Sequence, residues 1–438
     1  MHGPLPRASG QAAAATRLRI LVYGINFPPE PTGVGKYTGE MCQWLAARGH
    51  EVRVVTAPPW FPAWATMAPH SASRYAREEG PGLEVLRVPL WLPRRPSGAK
   101  RLVTMLSFAA SSLPPMLARI PWRPDVVWTV APSLAGAPLA WLVARLARAG
   151  AWLHVQDLEV DAAFGLALLK GGAAQRLALA VERWILGRFD RVSTISRPMA
   201  ARLRDKGVDG DRCRHFPNWA DIGGIRPLRD PSPFRRELGI PAEAVVALYS
   251  GSMGAKQGLE ILADSARLLA SEEGLHFVFC GEGVGRASLE TAAAGLERIH
   301  WLPLQPAERL NDLLGLADIH LLPQRGGASD LVMPSKLTGM LASGRPIVAT
   351  AAEDTALAHV VADCGTVVAP EDATEFAAAL RALAADPERR AALGARARAV
   401  AEAELACDQI LGAFEAELIA LARRTGRGAR GGPGGERI

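Results

Sequence analysis

The chain has 438 residues, of which 49% are hydrophobic and 21% charged, a globular composition long enough for two or three domains. This composition excludes a collagen, a coiled coil and a small disulfide scaffold. The formal net charge is +6, from 50 basic and 44 acidic residues, which favours an anionic partner such as phosphate or an acidic lipid surface. A genomic bias toward alanine and arginine is the alternative explanation.

The cysteines and the chain start indicate the compartment. Five cysteines are scattered and odd in number, so neither a disulfide framework nor a CxxC metal site can be drawn. No apolar run reaches about 18 residues, and the Ala/Gly/Pro-rich leader 1–16 lacks the apolar core of a signal peptide. We therefore expect a disordered leader and a reduced, cytosolic protein with no membrane span.

The first half of the chain alternates short apolar runs with amphipathic stretches. The predicted strands are 18–23, 52–56, 83–88, 125–129, 151–155 and 191–194. The predicted helices are 36–48, 134–148 and 174–189. Such alternation predicts an α/β domain with a doubly wound parallel sheet.

A Pro/Gly-rich segment, 216–233, breaks this periodicity and is interpreted as a linker. The alternation then restarts, with strands predicted at 245–249, 275–280, 299–302, 319–322 and 346–349, and helices near 258–270, 307–317 and 335–342. Ligands of doubly wound domains bind at the carboxyl ends of the strands. We therefore expect two such domains, 17–222 and 223–405, with an active site in the cleft between them.

The last part of the chain, from Thr374 to Arg424, consists almost entirely of helix formers, and we assign 406–424 to a separate C-terminal helix. The Gly/Arg-rich tail 425–438 lacks apolar anchors and is expected to be disordered. Such tails can bind RNA, but a short solvated tail is the favoured interpretation, so no nucleic-acid partner is predicted.

A glycine motif follows the first strand, with Gly33, Gly35 and Gly39 at a predicted helix start where free N–H groups favour an anion. A dinucleotide-binding domain would need an acidic residue at the end of the second strand, about 20 residues on. That strand ends at Thr56 instead, which disfavours an oxidoreductase. We predict that Gly33 and Gly35 approach a ligand.

Two basic motifs mark the second domain. Gly251, Ser252 and Lys256 lie between a strand and a helix, and a lysine there suggests a phosphate, although a solvated loop lysine is the alternative. In the second motif Ser335 is a candidate N-cap beside Lys336. Together they could hold the two phosphates of a nucleotide diphosphate.

Further polar residues follow other strands. Gly281 and Glu282 form a glycine turn after the strand that ends at Cys280. His154 precedes three alternating acids, Asp157, Glu159 and Asp161. A like-charge trio must face solvent, Mg²⁺ or a polyhydroxyl ligand, whereas the alternative is a polar loop with one helix cap. Our assignment contains no metal and no cofactor.

An apolar stripe flanked by cations lies at 102–117. Its apolar members are Leu102, Val103, Met105, Leu106, Phe108, Leu113, Met116 and Leu117. Basic residues precede and follow it, and Pro114 and Pro115 should break the helix before it could span a membrane. The pattern is typical of a helix at an anionic membrane surface, and a core helix with a solvated basic end is the alternative.

These residues resemble the GT-B glycosyltransferases of family 4, and more narrowly the colanic-acid-type exopolysaccharide enzymes, which include fucosyltransferases. The resemblance rests on ILVYGINFPPEPTGVGKYTGE at 20–40, RGHEV at 48–52, PNWAD at 217–221, KQG at 256–258, and PSK with ASGRP at 334–346. It covers about residues 18–400.

The resemblance implies two Rossmann-like domains with an interdomain cleft, a C-terminal domain that binds a nucleotide-sugar donor, an N-terminal domain that receives the acceptor, and retention of anomeric configuration. The family's arginine before the phosphate lysine is replaced by Ser252. The family's paired acids would fall at Leu331 and Gly339, where only the adjacent Asp330 is acidic. Asp157 and His154 are the nearest candidates for the family's catalytic histidine.

We therefore expect a cytoplasmic glycosyltransferase, peripheral at the inner face of the membrane. It would move a sugar, with GDP-fucose as one candidate donor, to a growing lipid-linked exopolysaccharide. The expected catalytic residues are His154, Asp157, Glu159, Lys256 and Lys336. The expected donor-binding residues are Gly33, Gly35, Gly251, Ser252, Lys256, Gly281, Glu282, Asp330, Ser335 and Lys336. A nucleotide-sugar epimerase and an inactive sugar-nucleotide-binding protein are the alternatives.

Overall fold

The protein was analysed as a computed structural model, which describes residues 16–30, 33–94, 98–132, 134–158, 172–254, 257–326, 334–353 and 355–425. Its contacts divide the chain into two compact units. Within the described ranges, the first unit comprises 16–154, 172–192 and 413–425, and the second comprises 155–158 and 193–412. The first unit contains most of one sheet, whose last strands continue into 193–215 of the second unit, and the second unit contains a whole second sheet. Residues 1–15 of the predicted leader, residues 426–438 of the predicted tail 425–438, and the sequence positions of Glu159, Asp161, Lys256 and Asp330 lie outside the described residues.

The first sheet has eight strands in the order β3-β4-β2-β1-β5-β6-β7-β8. Its strands are β1 Arg19–Tyr23, β2 Glu51–Thr56, β3 Ala76–Gly80, β4 Leu83–Arg87, β5 Val126–Ala131, β6 Gly150–Val155, β7 Arg191–Thr194 and β8 Cys213–His215. The central strands are apolar and buried, as strands covered on both faces require. Strand β3 pairs antiparallel with β4 and is fully exposed, so its charges protect the sheet edge.

The second sheet has six strands in the order β11-β10-β9-β12-β13-β14, and all its pairs are parallel. Its strands are β9 Val245–Ser250, β10 Leu275–Cys280, β11 Ile299–Leu302, β12 Ile319–Leu322, β13 Ile347–Thr350 and β14 Gly365–Val368. Its core includes Tyr249 and Phe279 from the sheet and Leu262 and Phe376 from helices packed on one face. The order places the carboxyl ends of β10, β9 and β12 side by side.

Helices connect the strands in both units, which confirms the predicted α/β class. Those of the first half are α1 Gly33–Ala47, α2 Gly98–Leu117, α3 Ala137–Ala147, α4 Ala173–Leu186 and α5 Arg197–Asp205. Those of the second half are α6 Pro233–Glu237, α7 Glu260–Leu268, α8 Arg286–Ala292, α9 Leu310–Leu316, α10 Lys336–Ala342, α11 Ala356–Ala362, α12 Ala373–Ala385, α13 Pro387–Glu404 and α14 Cys407–Arg424.

The expectation that Pro114 and Pro115 break the helix is wrong, because α2 continues to Leu117. A proline in a helix leaves an earlier carbonyl without its N–H partner. Here the hydroxyl of Tyr75 donates a 2.8 Å hydrogen bond to Ser111 O, the carbonyl that Pro115 cannot serve. A tertiary contact therefore replaces the local bond.

The predicted linker is irregular up to Ser232 but packed within the second unit. Phe216, Trp219 and Ala220 are buried, and Ala220 N–H donates to Leu405 O at 2.8 Å. The Arg398 guanidinium donates to backbone carbonyls of this segment, including Ile225 O at 2.7 Å. The segment is therefore held by side-chain and backbone contacts, and its irregularity comes from its prolines and glycines.

The C-terminal helix α14 packs on the first sheet. The ring of Phe414 lies 5.0 Å from that of Trp152. The carboxylate of Glu415 accepts hydrogen bonds of 2.8 Å from Arg48 Nε and from the buried His50 ring at Nε2. Burial acts to raise the pKa of this carboxyl, but the two partners outweigh it and the pKa is lowered.

Candidate functional site

The loops that follow β9 and β10 are joined by backbone hydrogen bonds. Gly251 N–H donates to Cys280 O and Met253 N–H donates to Glu282 O, both at 2.9 Å. Gly285 N–H returns a 2.8 Å bond to Met253 O. These backbone hydrogen bonds hold the two loops together at the carboxyl edge of the second sheet.

Glycine is required for this close approach. Gly281 has φ +148°, and a Cβ built there would lie 1.9 Å from Gly251 O. Gly283 has φ +150°, and its Cβ would lie 2.5 Å from Met253 O. No L side chain fits at either position without displacing backbone.

Lys336, the first residue of α10, reaches the same edge. Its Nζ donates a 2.9 Å hydrogen bond to the hydroxyl of Tyr249, the fifth residue of β9, and lies 4.1 Å from the centre of the ring. The tyrosine hydroxyl in turn donates to Ser252 O at 2.6 Å. The phenol therefore connects the lysine to the glycine loop. Its oxygen accepts the hydrogen bond that positions the ammonium.

The electrostatics of this pair are unusual. Tyr249 is fully buried, and desolvation raises the pKa of its phenol, so the hydroxyl stays neutral. Desolvation also lowers the pKa of Lys336 from 10.5 to about 7. Among the described side chains no carboxylate makes an ion pair with this lysine, and burial alone accounts for the shift. A desolvated cation with no carboxylate partner among the described residues favours an anionic ligand.

The structure thus brings several predicted site residues together. A Cβ on Gly251 would lie 3.7 Å from Lys336 Cε and 3.8 Å from its Nζ. Ser252 and Glu282 are exposed on the same two loops. Glu282 pairs with Arg286 at 3.2 Å, and Arg286 also donates to Gly281 O at 2.6 Å.

Ser335 does not act as the predicted capping side chain. It occupies the position before α10, but its φ and ψ of −59° and −25° are helical and its hydroxyl makes no capping bond. A capping serine normally needs an extended backbone so that its oxygen can accept from the next turn. Ser335 is exposed, and its carbonyl instead accepts a 2.9 Å hydrogen bond from Thr338 Oγ1.

In the first unit, Gly33 and Gly35 begin helix α1. Gly33 has φ +66° and open space where a Cβ would be, whereas a Cβ on Gly35 would lie 2.7 Å from Glu30 Oε2. Glu30 is buried; its carboxylate accepts from Asn26 Nδ2 at 2.9 Å and from the backbone N–H of Trp60 at 3.1 Å. The internal carboxylate of Glu30 therefore leaves no room for a side chain at Gly35.

Two predicted catalytic residues of the described chain lie at or after β6. His154 is buried in that strand and stacks on Trp128 at 5.7 Å between ring centres. Asp157 is half-buried just beyond the end of the strand. Glu159 and Lys256 lie outside the described residues, as does Asp330.

Comparison with known proteins identifies the family. Residues 32–219 match the family model described as "Glycosyl transferase 4-like domain", and residues 244–386 match "Glycosyl transferases group 1". The chain is 45% identical over 377 residues to the putative colanic acid biosynthesis glycosyl transferase WcaI of Escherichia coli K12, covering 83% of this chain and 91% of that protein. The chain belongs to the GT-B glycosyltransferases of family 4.

Solved structures support the GT-B fold. The chain matches sucrose-phosphate synthase from Thermosynechococcus elongatus with a TM-score of 0.72 at 19% identity, and the match covers 92% of this chain and all of that one. It also matches Anabaena Alr3699/HepE in complex with UDP, with a TM-score of 0.66 at 16% identity and the same coverage of both chains. The predicted pair of parallel α/β domains is confirmed.

Sequence reasoning missed two residues of this glycosyltransferase that the structure singles out. Tyr249 stands near the end of the otherwise apolar run VVALYS, and the chain has only four tyrosines. A phenol two residues before Gly251 was therefore a usable signal. Glu30 stands alone among prolines, but only the fold shows that it is buried and holds the loop at Trp60.

Proposed function

We propose that this glycosyltransferase moves a sugar from a nucleotide diphosphate sugar to a growing, lipid-linked exopolysaccharide, with retention of configuration. The observation that carries the proposal is the half-buried, desolvated ammonium of Lys336. It is fixed by Tyr249, close to Gly251, and has no carboxylate partner among the described residues. A donor diphosphate supplies the missing negative charge.

The proposed chemistry depends on charge stabilisation. As the bond between the sugar and the diphosphate breaks, negative charge grows on the leaving phosphate oxygen. A cation held in a water-poor site stabilises that charge more than it stabilises the bound donor. Lys336 supplies this cation, and Lys256 is proposed as the second on the strength of its sequence motif.

The acceptor is assigned to the first unit and the segment after β6. Asp157 is proposed to orient the acceptor hydroxyl, with His154 behind it and Glu159 further along the chain. WcaI, by its name a colanic acid biosynthesis glycosyl transferase, supports an exopolysaccharide acceptor. The solved complex of HepE with UDP supports a nucleotide donor for this fold, and GDP-fucose stays one candidate.

The test is transfer of radiolabel from nucleotide sugars to lipid extracts, with donor hydrolysis measured in parallel. Lys336→Ala should lower kcat/KM by the equivalent of roughly 1.5 to 3 kcal/mol, the range of a charged hydrogen bond. Asp157→Asn should lower kcat while nucleotide affinity, measured by calorimetry, stays near that of the wild type. Activity of Lys336→Ala within about twofold of wild type would remove the assignment.

The apolar face of α2 is proposed to meet an anionic membrane where this acceptor is presented. Leu102, Leu106 and Leu113 are exposed along one side of the helix, whereas Phe108 and Met116 are buried. No helix among the described residues is long and apolar enough to cross a membrane. Surface contact through α2 therefore suits the lipid-linked substrate.

Vesicle cosedimentation tests this contact. Binding should require anionic lipid and weaken as salt rises. Equal recovery in the supernatant with anionic and neutral vesicles at low salt would contradict it.

A further inference from the structure

Helices α3 and α4 present a second apolar face. Leu142 and Leu146 on α3 follow each other by one turn, and Leu177, Val181 and Trp184 on α4 have the spacing of one helical stripe. All five are exposed, Leu177 by 66% and Leu146 by 56%. Large apolar side chains at this exposure are common singly but not as a contiguous set.

The face is one surface because the two helices touch. The rings of Trp141 and Trp184 lie 6.2 Å apart in an edge-on arrangement. The guanidinium of Arg188 lies over both, 5.2 Å from the Trp141 ring and 4.8 Å from the Trp184 ring. The result is an aromatic pair with a cation at its margin, an arrangement suited to the boundary between water and lipid.

The charge around this face has one sign. Five exposed arginines accompany the stripe, namely Arg145, Arg148, Arg176, Arg183 and Arg188. Across 137–148 and 172–188 the only acid is Glu182, which is buried. An exposed apolar surface whose two helices, as far as the structure describes them, expose only cations among their charged side chains complements an anionic partner.

This face adjoins helix α2 through α3. Helix α3 contacts α2 and, through the Trp141–Trp184 ring pair, α4. Of the sixteen large apolar side chains exposed among the described residues, ten lie on these three helices. The described part of the chain thus concentrates its exposed apolar surface in one helical layer of the first unit.

We infer that helices α3 and α4 form a second membrane-contact surface that binds anionic phospholipid beside α2, with Trp184 and Leu177 as its anchors. This inference rests on the membrane-presented acceptor of the proposed function. The charge pattern favours lipid over a second copy of the chain, because a two-fold contact would place these arginines against one another. The three helices would then hold the first unit against the bilayer along a broad area.

The experiment compares the full chain with three variants. Leu177→Ser/Trp184→Ser alters the new surface, Leu102→Ser/Leu106→Ser alters α2, and Leu268→Ser, at an exposed apolar position of the second unit, is the matched control. Each is sedimented with phosphatidylglycerol-containing vesicles and with phosphatidylcholine vesicles. Circular dichroism and thermal unfolding verify that each variant folds.

We expect Leu177→Ser/Trp184→Ser to lower the partition coefficient on anionic vesicles at least about tenfold, and the control to bind as wild type does. Transfer to a water-soluble acceptor should be unchanged in all three variants, so that measurement tests the proposed function independently. Wild-type affinity of the folded double variant would overturn the inference. Concentration-dependent dimerisation lost in that variant, without loss of vesicle binding, would likewise overturn it and assign the face to a second copy.

Discussion

The substitution Lys336→Met separates the functional role of this lysine from its structural cost. Methionine has a similar length and fills the same space without a charge. In the ligand-free protein the lysine pKa falls from 10.5 to about 7, which corresponds to roughly 5 kcal/mol of unfavourable charge burial at low pH. The lost hydrogen bond to Tyr249 offsets about 1 kcal/mol of this.

The sign of the effect depends on pH. Below pH 7 both folded and unfolded chains carry the charge, so the full burial cost is present. Between pH 7 and 10.5 the unfolded chain binds more protons than the folded one, and the free energy of unfolding rises with pH. Above that window both forms are neutral and the cost disappears. Lys336→Met should therefore be more stable than wild type at pH 6, by roughly 2 to 4 kcal/mol, and the gain should shrink toward pH 10.

Urea unfolding at pH 6, 8 and 10, followed by circular dichroism, measures this difference, and calorimetry with UDP and GDP measures nucleotide binding. The matched control is Lys206→Met, at the end of α5, which should give no such gain. Nucleotide binding by Lys336→Met should weaken while its stability increases. If Lys336→Met is less stable than wild type at pH 6, the lysine has a counter-charge and the reasoning from an unpaired cation is refuted.

Three further substitutions test the surrounding structure. Tyr249→Phe keeps the ring but removes both hydrogen bonds of the hydroxyl, so kcat/KM should fall about fivefold to tenfold, and an unchanged value would contradict its positioning role. Gly281→Ala should lower the free energy of unfolding by at least about 2 kcal/mol. The control Gly274→Ala should be nearly neutral, because a Cβ at Gly274 has no neighbour within 4 Å. Equal effects of the two substitutions would refute the close approach of backbone at Gly281. Glu415→Gln should cost about 1 to 2 kcal/mol at pH 7. Since the folded pKa of Glu415 is lowered, the difference from wild type should begin to shrink as the pH falls below the ordinary carboxyl pKa and should vanish below the lowered folded pKa. A pH-independent difference would contradict the ion pair with Arg48.

The fold was largely predictable because strands and helices follow apolar periodicity. The predicted strands 191–194, 275–280, 299–302 and 319–322 match the structure residue for residue. The strand Ala76–Gly80 was missed because it is polar and fully exposed, and Cys213–His215 because three residues carry no pattern. Edge and short strands form through pairing with a neighbour, which a single run of residues does not reveal.

The candidate site was predictable only in part. Gly251, Gly281 and Lys336 were identified from their position after strands, since parallel strands bring their carboxyl ends to one edge. Gly35 was interpreted as a ligand-facing position, but the structure places Glu30 against it. The glycine motif indicates that a side chain does not fit at Gly35, and only the packing shows which neighbour excludes it.

By itself the amino-acid sequence determined the α/β class, the two sheets and the family, and it singled out Lys336 as a candidate site residue. Tertiary structure alone decided that this lysine meets a buried phenol 87 residues earlier in the chain. It also decided that helices α2, α3 and α4 leave an apolar face uncovered. Periodicity and motif spacing are local properties of the chain, whereas desolvation and exposure depend on which distant residues pack around a side chain, and these set its pKa and its partners.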